Sequence, residues 1–304
     1  MRTFADVISE SHRRRLVAVW MLSRPHQWSK NLLVLVPLLT AHRIAEPGLL
    51  PRGLAAFAAF CCCASLGYVV NDWRDIAHDR RHPRKKDRPF AAGLEPMPLV
   101  LWLLPSLALG ALLVAAPLGL AVGSALAVYT LVSLGYSLVF KRVTGLDILV
   151  LALLYTSRLW VGGLATATPV SPWLLTFALG FFASLASAKR VTALTKAAAR
   201  GESGLPGRPY RVANRRLLIA AGVLSGVFAM LVLVFYVESA TVAALYTRPA
   251  ALWPVFCVVL LWLVRLWWLA VRGRLDWDPV LFALRDPLSY GLLLLGALGV
   301  TWAL

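Results

Sequence analysis

Long, nearly uncharged apolar runs recur from one end of this chain to the other, and that feature restricts its folding more than any motif. Crossing about 30 Å of hydrocarbon takes roughly 20 residues of α-helix. Nine stretches meet that need, at about 28–46, 53–71, 98–117, 119–140, 147–168, 171–189, 217–237, 250–270 and 288–304. Inside a bilayer every backbone N–H and C=O must find a partner within the protein, which leaves only helices and closed barrels. Barrel strands alternate apolar and polar residues, and these runs do not. The expected fold is therefore all-α, a polytopic membrane bundle of about nine transmembrane helices with loops capping one end. The composition agrees, since 60% hydrophobic residues, 15% charged residues and a mean hydropathy of +0.73 lie outside the range of soluble domains.

The formal charge of +17 is distributed unevenly. With the N-terminus on the inner side, nine crossings put residues 1–30, 72–97, 141–146, 189–216 and the 265–287 region on one face. All but four of the 31 Lys and Arg fall there; the exceptions are Arg43, Arg52, Arg158 and Arg248. The positive-inside rule makes that face cytoplasmic. The expected location is the bacterial inner (plasma) membrane, multi-pass, with the polar machinery facing the cytoplasm. A nucleic-acid partner is not expected, because the basic segments are short loops tied to membrane helices and lack interleaved stacking aromatics. Such a face suits phosphorylated substrates and the membrane lipid itself. An oligomer is compatible with the pattern. Cys61, Cys62 and Cys63 are consecutive and Cys257 is remote, so no disulfide and no zinc site is expected. The first 20 residues lack an apolar core before Arg13-Arg14-Arg15, so no cleavable signal peptide is expected.

The chemistry concentrates at residues 71–89. Asn71, Asp72, Asp75 and Asp79 follow the second run and lead into Arg80, Arg81, Arg84, Lys85, Lys86 and Arg88. On a helix, Asp72, Asp75 and Asp79 stand at i, i+3 and i+7 and share a face, with Asn71 and His78 beside it. Mg²⁺ favours one or two carboxylates plus substrate phosphate oxygens. The flanking cations would meet the remaining phosphate charge. The three aspartates are thus the candidate catalytic and metal residues, with Asn71 as a further ligand.

Other polar residues punctuate the same cytoplasmic ends. Lys30 lies in Arg24-Pro25-His26-Gln27-Trp28-Ser29-Lys30-Asn31 before the first run. Tyr136 and Lys141 lie at the junction of the fourth and fifth runs, with Asp147 just beyond. Arg158 sits within a run, where an arginine costs a few kcal/mol on insertion scales and needs a polar cavity or partner. Lys189 and Arg190 end the sixth run and open a loop rich in cations whose one carboxylate before the seventh run is Glu202. Lys30, Asn71, Lys86, Arg88, Tyr136, Lys141, Arg158, Lys189 and Arg190 are the candidate donor or phosphate contacts. The segment Arg272 to Asp286 reads as helix capping.

At these residues the chain resembles the UbiA superfamily of intramembrane prenyltransferases. The likeness rests on the N-D-x-x-D-x-x-x-D motif at Asn71, Asp72, Asp75 and Asp79 and extends along nearly the whole chain. The second Asp-rich motif of that superfamily is absent here. The finer resemblance is to the branch that moves 5-phosphoribose onto a polyprenyl phosphate. It is carried by Arg24-Pro25-x-Gln27-Trp28-x-Lys30-Asn31, by His82-Pro83 with Lys85/Lys86, Arg88-Pro89 and Ala91-Ala92-Gly93, by Tyr136-Ser137 with Lys141, by Arg158 with Gly162-Gly163, and by Lys189-Arg190. One departure is Val191-Thr192-Ala193, where that branch usually has an aromatic residue and a Glu.

The resemblance implies a single UbiA-like transmembrane domain over 1–304. Residues 1–27 would form a short cytoplasmic N-terminal segment, and 72–97 and 189–216 would be active-site loops. It implies Mg²⁺ as cofactor, 5-phosphoribosyl 1-diphosphate as donor and a polyprenyl phosphate as acceptor, a pentosyl transfer serving cell-envelope or surface glycans. Two rivals stand beside it. A prenyltransferase acting on a prenyl diphosphate and an aromatic or other acceptor predicts a second carboxylate cluster after the sixth run. A lipid or anion transporter predicts two matched halves with broken spans, and no internal repeat is visible.

Overall fold

A computed structural model describes residues 16–81, 86–93, 96–205, 207–275 and 278–304, leaving out the side chains of His78 and Pro96. The N-terminal segment 1–15, His82, Pro83, Lys85, Asp276 and Trp277 lie outside the described residues. The protein is all-α. Its principal helices are α1 (Leu49–Arg74), α2 (Pro96–Ala115), α3 (Leu120–Leu138), α4 (Leu146–Ala165), α5 (Pro172–Ala199), α6 (Arg215–Val237), α7 (Trp253–Val271) and α8 (Pro287–Ala303). Among the described residues, seven helical stretches, those built on α1 to α7, are long and apolar enough to cross a bilayer, so this is a multi-pass membrane protein.

The two remaining expected spans take other forms. α8 is apolar but has only 17 residues. Residues 28–46 were expected to form one α-helical span. The chain instead runs as a 3₁₀ helix, Pro25–Leu35, followed by a short α-helix, Val36–Thr40. A 3₁₀ helix rises about 2.0 Å per residue against 1.5 Å for an α-helix. These 16 residues therefore extend about 30 Å, comparable with the hydrocarbon thickness. Prolines open both pieces, Pro25 at the start of the first and Pro37 near the start of the second, where a missing N–H costs nothing.

The chain divides into two compact units, Met1–Val139 with Ser157–Pro169, and Phe140–Thr156 with Val170–Leu304. In the first unit, α1 packs against α2, α3 and the 3₁₀ segment. Gly162 makes one close approach possible: a Cβ there would lie 2.0 Å from the Val34 carbonyl oxygen, so only glycine lets the α4 backbone meet the 3₁₀ segment. A separate cluster of Leu22, Val69, Phe90, Val100 and Leu103 ties the loop after α1 to the helices.

In the second unit, α5 and α6 form the most extensive helix pair. Gly222 accommodates both Ser187 and the Trp267 ring, and the Trp267 indole donates to Ser184 Oγ at 2.9 Å. The capping expected near 272–286 is present. Asp278 accepts from the Val280 N–H at 3.3 Å, and Asp286 accepts from the Ser289 N–H at 2.8 Å. Much of the outer surface of the spans is large and apolar, including Trp102, Leu120, Leu217 and Leu293, as a lipid-facing surface requires.

Candidate active site

The carboxylate motif sits at the end of α1. The sequence pattern predicts one continuous helix through all three acids, but the structure breaks it between Asp72 and Asp79. α1 stops at Arg74, Asp75 takes a non-helical backbone conformation at its C-terminus, and a four-residue turn, Ile76–Asp79, follows. Asp72 and Asp79 end 2% and 1% exposed, whereas Asp75 is half-buried. Among the described residues no three carboxylate, imidazole or thiol groups gather as a ready metal cluster. Asp75 closes α1 with its N–H still bonded to the Asn71 carbonyl at 3.0 Å, and Asp79 belongs to the turn beyond it.

What draws Asp72 and Asp79 together is Arg88. Its Nη1 lies 2.9 Å from Asp72 Oδ1 and 2.6 Å from Asp79 Oδ2, so one nitrogen bridges two carboxylates seven residues apart. Arg88 is held in place through Phe90, two residues later, which is 1% exposed among Leu22, Val69 and Val100. The turn is further closed by the Ala92 N–H donating to the Arg88 carbonyl at 2.8 Å. A second guanidinium meets the same acid, with Arg24 Nη2 2.5 Å from Asp72 Oδ1. Arg24 was legible only as part of a motif, and the structure makes it a member of the site. Two buried carboxylates that share one nitrogen are hard oxygen donors of the number Mg²⁺ uses alongside substrate phosphate. The residues present therefore fit the metal that the sequence suggested.

Arg158 is 5% exposed, and the partners it has are shared among several elements of its unit. Its Nε donates to Asn31 Oδ1 at 2.9 Å and its Nη2 to the Tyr129 hydroxyl at 2.8 Å. The rings of Phe60 and Tyr129 lie 5.5 and 5.0 Å from its guanidinium carbon. The arginine thereby links α4 to the 3₁₀ segment, α1 and α3, with cation–π contacts offsetting part of its desolvation. Lys30 is buried in the same unit, Asn71 and Tyr136 are half-buried, and Lys86 is exposed.

The second unit contains Lys141, Lys189 and Arg190. Arg190 donates from Nε to Asp147 Oδ2 at 2.9 Å, and Asp147 is fully buried. The other oxygen of Asp147 accepts from the Tyr210 hydroxyl, which itself accepts from the Gly145 N–H at 3.0 Å. Burial, and then the bond to Asp147, push the Tyr210 phenol well above its ordinary pKa, so it is a neutral donor. Tyr210 is brought inward by a small closed loop in which Leu205 N–H donates to the Tyr210 carbonyl at 2.9 Å and Val212 N–H to the Ser203 carbonyl at 2.9 Å. Arg208, in the same loop, reaches the Lys141 carbonyl at 3.5 Å and stands 3.8 Å from Asp147. Lys189 pairs with Asp278 at 2.6 Å, and the Tyr155 hydroxyl donates to that aspartate at 3.4 Å. The residues that sequence reasoning missed as a group are Asp147, Arg208, Tyr210 and Asp278. A tyrosine flanked by Pro209 and Arg211 in an otherwise cationic loop was the available signal for this cluster.

The sequence and the fold have known counterparts. Residues 34–286 match the UbiA prenyltransferase family. The chain belongs to this family. Among curated relatives, the nodulation protein NoeC of Azorhizobium caulinodans is 36% identical over 286 residues, covering 92% of this chain and 91% of NoeC. The uncharacterised protein y4nM of Sinorhizobium fredii is 35% identical over 272 residues, 88% of this chain. The match takes in 52% of y4nM, so the chain spans about half the length of that relative. Decaprenyl-phosphate phosphoribosyltransferase of Mycolicibacterium smegmatis is 36% identical over 185 residues, 59% of this chain and 57% of that enzyme. Among solved structures, a UbiA homologue from Archaeoglobus fulgidus bound to DMAPP and Mg²⁺ aligns with a TM-score of 0.69 at 14% identity, covering 94% of this chain and 97% of the homologue. At that identity the likeness concerns the fold.

Proposed function

We propose that this UbiA-family protein is a Mg²⁺-dependent transferase that moves 5-phosphoribose from 5-phosphoribosyl 1-diphosphate to a polyprenyl phosphate at the cytoplasmic face of a bacterial plasma membrane. The observation that carries the reading is the 36% identity over 185 residues to decaprenyl-phosphate phosphoribosyltransferase, taken with the cation-rich motifs through which the sequence resembles that branch. The site chemistry supports it. The donor carries more anionic groups than an allylic diphosphate, and the chain supplies arginines where its aspartates stand. The rival prenyltransferase reading calls for a second carboxylate cluster after α5. Glu202 in that loop pairs instead with Arg200 at 2.7 Å on the surface.

In this reading Asp72 and Asp79, with Asp75 and Asn71 beside them, would hold Mg²⁺. Bound there, the ion would offset the charge of the departing diphosphate. Arg24, Arg88, Lys30 and Lys86 bind diphosphate oxygens in the first unit, with Tyr136 and Arg158 as further phosphate contacts there. Arg190, held by Asp147, and Lys189, held by Asp278, are together with Lys141 the phosphate contacts that the second unit supplies. An oxygen of the lipid phosphate attacks C1 of the ribose as the bond from C1 to the diphosphate oxygen breaks, with inversion at C1. A phosphate monoester near neutral pH is already anionic, so positioning of two polyanions, rather than proton transfer, is the main task. Mass analysis of the lipid extract tests this: the polyprenyl phosphate should gain one phosphoribosyl group, with one diphosphate released from the donor for each group transferred. An unmodified lipid, with prenylated acceptor formed from a prenyl diphosphate instead, would select the rival.

A further inference from the structure

Asp72 Oδ1 accepts from two guanidinium groups, Arg24 at 2.5 Å and Arg88 at 2.9 Å, and the same Arg88 nitrogen also holds Asp79 at 2.6 Å. Neither arginine is a loosely placed surface side chain. Arg24 takes a left-handed backbone conformation (φ 49°, ψ 59°) immediately before Pro25, and its guanidinium carbon lies 5.2 Å from the centre of the Tyr68 ring. A non-glycine residue in that backbone region is uncommon and persists only where its surroundings hold it. Arg88 is anchored through Phe90 in the apolar cluster. Both cations are thus pre-placed on the carboxylates that would ligate a divalent ion, and they are only 16% and 24% exposed.

We propose that Arg24 and Arg88 couple metal binding to diphosphate binding, competing with a free divalent cation for Asp72 and Asp79 and turning to diphosphate oxygens when metal and diphosphate arrive together. This rests on the reading of Asp72 and Asp79 as a metal-diphosphate site, and it is independent of which diphosphate donor is used. A free cation must displace a charge-assisted hydrogen bond and then lie beside two like charges. The diphosphate removes both penalties, since it gives each guanidinium an anionic partner suited to its planar fork. Linkage then requires that metal and diphosphate each raise the affinity for the other by the same factor. One displaced charge-assisted hydrogen bond sets that factor at roughly tenfold or more. Arg24 becomes a substrate-contacting residue, and the enzyme loads a metal-diphosphate complex in preference to bare metal.

Equilibrium dialysis of Mn²⁺ against purified full-length protein, with and without inorganic diphosphate and with a protein-free control, measures the coupling directly. In the wild type, diphosphate should tighten Mn²⁺ binding by roughly tenfold or more. Arg24→Gln should tighten Mn²⁺ binding in the absence of diphosphate and shrink the coupling factor, and Arg88→Gln should do both more strongly. A wild-type factor near one, or an Arg24→Gln protein with unchanged or weaker Mn²⁺ binding and undiminished coupling, overturns the proposal. Arg88→Gln leaves two buried carboxylates short of a donor; if it does not fold, Arg24→Gln, in which Asp72 keeps Arg88, and the wild-type factor decide. Asp72→Asn separates the two levels. Mn²⁺ binding that survives it refutes the metal-site reading itself. Mn²⁺ binding lost in Asp72→Asn, with coupling unaltered in Arg24→Gln, refutes the arginine exchange alone.

Discussion

Asp147→Asn is the substitution whose cost can be worked most directly from the structure. Asp147 is 0% exposed and its side chain holds three groups, Arg190 at 2.9 Å, the Tyr210 hydroxyl, and Arg208 at 3.8 Å. Asparagine keeps the shape and removes the charge, leaving the Arg190 guanidinium, itself 8% exposed, without its neutralising partner. Breaking one side of a buried ion pair costs about 3–5 kcal/mol. At this chain length a loss of 1 kcal/mol lowers the melting temperature by about 2 °C, so the expected fall is about 6–10 °C. Tyr210→Phe removes a hydroxyl that donates to Asp147 and accepts from the Gly145 N–H, at about 1–3 kcal/mol, and should lower the melting temperature by about 2–6 °C. The two changes share one carboxylate, so the double variant should lose less than the sum of the single losses. Thermal unfolding of the purified protein in one detergent, scanned for all four forms, provides the cycle. A fall of less than about 2 °C for Asp147→Asn would refute the reasoning, as would strict additivity.

Three further outcomes follow from particular contacts. The Tyr210 pKa is raised in the folded protein, so its contribution to stability is complete below the unfolded value of about 10 and is lost as pH rises beyond it; melting scans from pH 8 to 11 should show the gap between wild type and Tyr210→Phe closing at the alkaline end, and a constant gap would contradict this. Gly162→Ala forces a Cβ against the Val34 carbonyl, a backbone contact that cannot swing aside, so it should cost at least the 1–3 kcal/mol typical of overpacking and depress the yield of folded protein; wild-type yield and melting temperature would show that α4 does not meet the 3₁₀ segment as described. Arg158→Lys keeps the charge but cannot bond Asn31 and Tyr129 in two directions from a planar group, so it should lower thermal stability nearly as much as Arg158→Met; full rescue by lysine would mean that only the charge matters.

Hydropathy made the all-α membrane class legible because burying backbone polar groups in lipid leaves so few solutions, and length alone located the spans built on α1 to α7. It did not reveal the 3₁₀ form of Pro25–Leu35, since an apolar run has the same composition whether it rises 1.5 or 2.0 Å per residue. Spacing predicted one helix through Asp72, Asp75 and Asp79, whereas α1 ends at Arg74, because helical periodicity carries no information about where a helix stops. The partners of the aspartates were harder to read. Arg88 was a candidate by its place after the motif, but its role as a bridge depends on Phe90, whose burial is a tertiary fact. The Asp147, Arg190 and Tyr210 cluster joins residues 63 positions apart at its widest. No local pattern encodes such a contact, and a buried carboxylate looks the same in sequence as a solvated one.

The central claim is tested most directly by offering one preparation both donors. Purified protein with Mg²⁺ receives polyprenyl phosphate and radiolabelled 5-phosphoribosyl 1-diphosphate in one arm, and a labelled prenyl diphosphate with an aromatic acceptor in the other. The account predicts Mg²⁺-dependent entry of ribosyl label into the lipid phase, abolished by Asp72→Asn and by Asp79→Asn in protein that remains folded, and no turnover in the second arm. Prenyl transfer in the second arm with no ribosyl label reaching the lipid in the first would contradict it.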